Sequence, residues 1–277
     1  MLKKSQNKQK IGIIAGRGDL PKMLIKKLLE EKREFQIFLL KSENYKEDYS
    51  SYSPVEIEYG QVGYLINYLK ENKIPELVFI GSVNKPNFST LKLDRLGKVL
   101  VAKILANKIL GDDAVLRTVV KFCEKNGVKV TPINQLLDCM IDKKGFLSQK
   151  QTTKIDDENI AIGIKAIRSF SKFDIGQSLI VSQKQIIAVE AIEGTDQMIK
   201  RCKDLEIEYK NQSILVKMKK RGQNTKVDLP TIGVNTIRNC INSGISGIAI
   251  EAKSAIILEK EKVIKMINEA GMFLKVL

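Results

Sequence analysis

The chain has 277 residues and a net charge of +15, with 43% hydrophobic and 29% charged residues. That length can bury a sizeable core without a disulfide or metal staple, and it suits two domains or one large one. There is no histidine, which excludes the usual catalytic triad, a histidine-ligated zinc and the histidine-rich dimetal phosphoesterase site. Hydrolysis would have to run on Asp, Glu, Thr, Lys and a hard cation such as Mg²⁺. The positive charge suggests an acidic partner, whether nucleic acid, an anionic membrane surface or a phosphorylated substrate. Only eight of the 47 basic residues are arginine. Base-edge reading favours the arginine fork, so nucleic acid is not expected as a partner. The four cysteines, Cys123, Cys139, Cys202 and Cys240, have no metal-ligand spacing and read as reduced, mostly buried thiols of a cytoplasmic protein. No apolar run is long enough to span a bilayer.

The first half alternates strand and helix signals. Residues 11–15 read as a buried strand, followed by the turn Gly16-Arg17-Gly18 and a helix over 20–32 with Asp19 as N-cap. Strands are predicted over 35–40, 77–80 and 128–133, and helices over 62–71 and from Asp112 to about Gly127. The apolar stretch 99–110 is expected to be core helix. This rhythm predicts a mostly parallel, Rossmann-like sheet with helices on both faces. Residues 136–153 are polar and turn-rich and read as a linker between domains 1–135 and 154–277.

The second half predicts a separate α/β domain. A helix over 158–170 is followed by a hairpin of 178–181 with 185–190, a helix over 197–202 and a strand over 214–218. Beyond a polar loop come a helix over 233–241, strands over 245–250 and 255–258, and a last helix over 260–270.

Several motifs carry candidate chemistry. Gly16 and Gly18 follow a strand and open a helix, where backbone N–H groups bind phosphate well or simply make a tight turn. The sequence lacks a third glycine where Pro21 stands and an acid directly after the second strand, which argues against a nicotinamide cofactor. Asn84 and Lys85 lie just past a strand's C-terminal end, where open sheets bind ligands. In the second half, Glu190 ends an apolar strand, and Glu193-Gly194-Thr195-Asp196 turns into a helix. Asp228, between Val227 and Leu229, precedes Pro230 and Thr231. If these two motifs meet, their carboxylates would hold Mg²⁺ or move a proton, with the alternative that they are solvated turns and caps.

Taken in order, these motifs resemble the UDP-2,3-diacylglucosamine pyrophosphatases of lipid A synthesis that are unrelated to the calcineurin-like type. The resemblance runs from Ile14 to Pro21, through Gly81 to Pro86, Gly111-Asp112-Asp113, Asp174 to Gln177, Ala188 to Asp196, Val227 to Gly233 and Gly244 to Ile248. It implies a cytoplasmic, Mg²⁺-dependent hydrolase. Its N-terminal domain would help enclose the UDP-linked diacylated glucosamine, and its C-terminal α/β domain would carry catalysis. Asp228 falls on the family's essential aspartate, as metal ligand or base. Glu190 is a second metal candidate, and Glu193 and Asp196 are further catalytic candidates. Gly16, Gly18, Asn84, Lys85, Gly194, Thr195, Lys219, Gln223, Lys226 and Thr231 are expected to bind substrate. Peripheral contact with the inner membrane and a homodimer are both compatible with this resemblance. A noncatalytic module binding nucleotide-sugars or anionic lipid is the alternative from another class.

Overall fold

A computed structural model describes residues 9–41, 43, 45, 48–84, 86–106, 112–137, 143–173, 175–203, 212–219 and 229–277. The chain divides into two compact units, Met1–Asp138 and Cys139–Leu277.

The first unit runs β1 (Ile11–Ala15), α1 (Asp19–Glu30), β2 (Phe35–Leu40), β3 (Val55–Ile57), α2 (Val62–Glu71), β4 (Glu76–Ile80), α3 (Arg95–Leu105), α4 (Asp112–Lys125) and β5 (Lys129–Val130). Its sheet has the order β3-β2-β1-β4-β5, and every pairing is parallel. The Rossmann-like parallel sheet expected from the sequence is therefore present. All five residues of β1 are buried, as a strand covered on both faces requires. Strand order reverses between β1 and β4, so the loops that leave these strands flank the crevice where such sheets bind ligands.

Those two loops touch directly. Arg17 N donates to Ser82 O at 2.8 Å, and Ser82 N donates to Arg17 O at 3.0 Å. A Cβ on Gly16 would sit 2.6 Å from Ser82 O, so only glycine permits this approach.

Three local expectations are corrected, and one strand was missed. Gly18, not Asp19, is the N-cap of α1, and Asp19 lies in the first turn, where its charge favours the helix dipole. The apolar stretch near 99–110 is not uniformly core. The Asp94 side chain caps α3 by accepting from Gly97 N at 2.7 Å, and α3 buries Gly97, Leu100 and Ile104. Val99 and Leu105 remain 45% and 55% exposed, because only one side of α3 packs on its unit. The strand expected over 128–133 shrinks to two residues, since Pro132 has no N–H for a ladder and leads into a 3-10 turn. The three-residue β3 was too short to stand out in the sequence.

The second unit contains β6 (Gly145–Phe146), α5 (Lys154–Phe170), β7 (Ser178–Ser182), β8 (Gln185–Val189), α6 (Thr195–Cys202) and β9 (Ser213–Lys217). It continues with β10 (Thr231–Ile232), α7 (Val234–Asn242), β11 (Ile245–Ile250), β12 (Ile256–Ile257), α8 (Lys260–Glu269) and β13 (Phe273–Val276). The main sheet is mixed, in the order β6-β13-β11-β9-β7-β8, and β10 pairs with β12 in a separate parallel pair. β6 lies within the polar stretch 136–153 and pairs antiparallel with β13. α5 begins earlier than its apolar periodicity suggests, because Thr153 and Asp156 form a capping box.

The period-2 alternation of the strands sorts the core into two layers. Ile180, Ala188, Leu215, Ile248 and Leu274 pack with residues of α6, α7 and α8 such as Met198, Ile237 and Val263. Leu179, Val181, Ile214, Val216 and Phe273 pack with Ile160 and Ile167 of α5 on the opposite face. No helix among the described residues is long and apolar enough to cross a membrane. Cys123, Cys202 and Cys240 are buried thiols outside any disulfide, as expected, while Cys139 lies outside the described residues.

Candidate active site

Three strand positions converge on one edge of the second sheet. Ser178 opens β7 and pairs with Lys217 at the end of β9. The Ser178 carbonyl also accepts from Glu190 N at 2.9 Å, just past the end of β8. Lateral neighbours in a sheet share a face. Counting by two from Ile180, Leu215 and Ala188 puts Ser178, Lys217 and Glu190 on the α6 side. Thr195, the first residue of α6, meets them there.

The four side chains form a polar chain around one oxygen. Thr195 Oγ1 donates to Glu190 Oε2 at 3.0 Å and accepts from Lys217 Nζ at 2.5 Å. Ser178 Oγ lies 3.2 Å from the same atom. A hydroxyl has one proton to give, and that of Thr195 is committed to Glu190, so Ser178 is the donor in the third contact. Lys217 is 4% exposed and Glu190 8% exposed. A buried ammonium and a buried carboxylate are each costly unless bonded. Here one hydroxyl bonds both of them. The result is a fixed positive charge, a fixed carboxylate and the N-terminus of α6 at one place, a combination suited to holding an anion and managing a proton.

Glu190 is set by the backbone opposite it. Gly176 N donates to Glu190 O at 3.1 Å, and a Cβ on Gly176 would lie 2.4 Å from that oxygen and 2.6 Å from Glu190 Cβ and Cγ. Gly176→Ala must therefore push Glu190 out of place. We expect a loss of about 1–3 kcal/mol of stability, from overpacking, and roughly tenfold in kcat/KM, from misplacement, read by thermal unfolding and turnover. An alanine variant with wild-type Tm and turnover would remove Glu190 from the site.

The other expected residues have separate surroundings. Gly194 is the N-cap of α6, within the cluster's own turn. Asp196 turns away: its Oδ1 accepts from Thr236 Oγ1 at 3.0 Å, tying α6 to α7. Glu193 forms an ion pair with Arg201 at 3.3 Å, both side chains partly exposed. The Lys219 backbone N donates to Glu251 Oε2 at 3.3 Å. Thr231 Oγ1 donates to Leu229 O at 3.0 Å, at the start of β10. Gly16, Gly18 and Asn84 belong to the first unit. Asp228, Gln223, Lys226 and Lys85 lie outside the described residues.

Lys217 and Ser178 were missed in the sequence. The available signal was a lone lysine following the apolar run Ile214-Leu215-Val216, which reads by default as a strand end reaching solvent. Cys240 is close enough for its thiol to feel the site. Burial, and then the Asp196 charge, push that thiol well up, with Lys217 pulling it down. It stays protonated and is no nucleophile at neutral pH.

Among the described residues, no group of three or more His, Cys, Asp or Glu side chains is placed to hold a metal ion. The cluster's oxygens, one carboxylate and two hydroxyls, suit a hard cation in kind but fall short in number.

A parallel α/β unit, together with a second α/β unit that presents a buried lysine–hydroxyl–carboxylate cluster, defines a two-domain α/β enzyme working without histidine. Residues 10–140 match the model of the LpxI N-terminal domain and residues 143–275 that of the LpxI C-terminal domain. A protein of Caulobacter vibrioides named UDP-2,3-diacylglucosamine pyrophosphatase LpxI is 32% identical over 271 residues, spanning 96% of each chain. The chain belongs to the LpxI family, as the order of its motifs implied, and is an enzyme of the hydrolase class.

Proposed function

We propose that this enzyme hydrolyses the diphosphate of UDP-2,3-diacylglucosamine, giving UMP and 2,3-diacylglucosamine 1-phosphate for lipid A synthesis, and that it requires Mg²⁺. The observation that carries the reading is the Lys217–Thr195–Glu190 cluster at the α6 N-terminus, within the segment that matches the LpxI C-terminal domain. A diphosphate needs concentrated positive charge where negative charge builds up on its oxygens, and a buried ammonium supplies this without reorganisation.

In this reading water attacks the phosphorus on the sugar side. A P–O bond forms, the bond to the bridging oxygen breaks, and that oxygen leaves with UMP. The water's proton passes to a carboxylate, with Asp228 the leading candidate as base or metal ligand. Lys217 and the α6 N-terminus hold the phosphate oxygens, and Thr195 keeps Lys217 and Glu190 in register. Glu190 and Asp228 would hold Mg²⁺ together with the substrate's own phosphates. When bound, the ion would polarise the phosphoryl group and offset its charge. Working at the inner membrane surface would give the enzyme access to a diacylated substrate.

Turnover in H₂¹⁸O, with Mg²⁺ and with EDTA in its place, tests the proposal. We expect Mg²⁺-dependent UMP release with the label on the lipid phosphate. Label on UMP would keep the hydrolysis and overturn the attacked phosphorus. Equal turnover in EDTA would overturn the metal. No turnover in either condition would favour a noncatalytic binding module.

A further inference from the structure

Outside the cluster in the second unit, the first unit holds a buried acid of its own. Glu43 stands three residues beyond β2, and its side chain is fully buried. Glu43 Oε1 accepts from Asn84 N at 2.7 Å and lies 2.6 Å from the Tyr59 hydroxyl. Its Oε2 accepts from Asn84 Nδ2 at 3.2 Å and lies 3.3 Å from Arg17 Nε. Arg17 Nη2 in turn donates to Asn84 Oδ1 at 2.8 Å. The Tyr59 hydroxyl is also 2.8 Å from the Asn84 carbonyl oxygen, so its one proton is shared between two acceptors. Burial, and then the bond to Glu43, push the Tyr59 phenol up, which keeps it a donor at any working pH.

The arrangement is asymmetric. The carboxylate is saturated by protein donors, so it has no capacity left for a ribose hydroxyl, the role an acid near this strand end has in dinucleotide sites. The arginine is not saturated. Its side chain remains 38% exposed. Nε is buried in the ion pair with Glu43 and one Nη2 proton goes to Asn84, while its remaining Nη donors have no hydrogen-bond partner among the described residues. A guanidinium brings five N–H donors, and this one is anchored from below by Glu43 and from the side by Asn84. It stands at the crevice between the ends of β1 and β4, beside Gly16, Gly18 and the N-terminus of α1. A fixed fork with free donors next to a helix N-terminus matches phosphate oxygens.

We propose that Glu43 is a positioning residue that presents Arg17 and Asn84 to a phosphate-bearing part of the substrate at this crevice. The proposal rests on the reading that the enzyme acts on a UDP-linked sugar. Glu43→Gln tests it with little change in shape. The amide oxygen still serves Tyr59 and Asn84 N–H, but an N–H₂ group now faces Arg17 Nε and Asn84 Nδ2. Two arms are measured: KM and kcat for UDP-2,3-diacylglucosamine, and the Kd for UDP by calorimetry.

We expect Glu43→Gln to raise KM or the UDP Kd about tenfold, with kcat within about twofold of wild type and Tm held within a few degrees. Arg17→Ala should move the same constant in the same direction, and Glu43→Asp, which keeps the charge, should recover part of the loss. An unchanged KM and Kd in Glu43→Gln or in Arg17→Ala overturns the proposal. So does a fall in Tm with KM and Kd unchanged, because the network would then only tie loops together. A wild-type protein that binds UDP without turning over the lipid substrate fails the functional reading alone, and the Kd arm still decides Glu43. Neither binding nor turnover overturns both.

Discussion

Asp228→Ala is expected to leave no measurable hydrolysis of UDP-2,3-diacylglucosamine, a fall of roughly 10³-fold or more in kcat, with substrate Kd changed by less than about threefold. If Asp228 takes the water's proton, its carboxylate acts on charge that appears only as the phosphorus is attacked. Removing it should therefore spare the ground state. The chain just after it is firmly held: Leu229 is buried, and Ile256 N donates to Pro230 O at 2.8 Å, joining the start of β10 to β12. A small residue at 228 should thus leave β10 and its pairing intact. Rapid-quench turnover beside equilibrium binding separates the two quantities. A variant keeping more than about a tenth of wild-type kcat would show that Asp228 is neither base nor ligand.

Lys217→Met is expected to lower kcat/KM about 100-fold, the scale seen when one preorganised electrostatic contact is removed from a phosphate or oxyanion site. Methionine fills similar volume, so the packing of β9 between β7 and β11 should survive, and Tm measured alongside distinguishes lost charge from lost fold. Lys217→Arg is not expected to restore activity, because a planar guanidinium cannot occupy the buried space of a compact ammonium bonded to Thr195. If Lys217→Met turns over within about threefold of wild type, the lysine only balances Glu190 and plays no part in handling phosphate.

The fold of the first unit was largely legible. Its strands at 11–15, 35–40 and 76–80 are mostly apolar runs separated by helices with apolar stripes, and the sheet they form is parallel. What escaped were elements without a period. β3 is three residues long, β13 comes after the last helix with only four, and the strand near 130 was cut short by Pro132. The exposure of Val99 and Leu105 escaped for a different reason. Composition gives the apolar content of a helix, but not how much of its circumference finds a partner.

The candidate site divides in the same way. Glu190 and Thr195 stood out in the sequence because a carboxylate ends an apolar strand there and a helix start comes soon after. They do meet. Glu193 and Asp196 carried the same local signal, but Glu193, in the turn before α6, pairs with Arg201, and Asp196, next to Thr195 on the helix, bonds Thr236 instead, since successive residues on a helix point in different directions.

By itself the sequence determined the chemistry available, which is carboxylates, hydroxyls and lysines without histidine. It also determined the α/β class and, through the order of its motifs, the family. Tertiary structure alone decided which of those groups share a site. Ser178, Glu190 and Lys217 are brought side by side by strand pairing across β7, β8 and β9. Glu43, Tyr59 and Asn84 are gathered by loops leaving the ends of β2, β3 and β4. The physical reason is that strand register and loop closure join residues far apart in the chain, while periodicity and capping act only between residues a few positions apart.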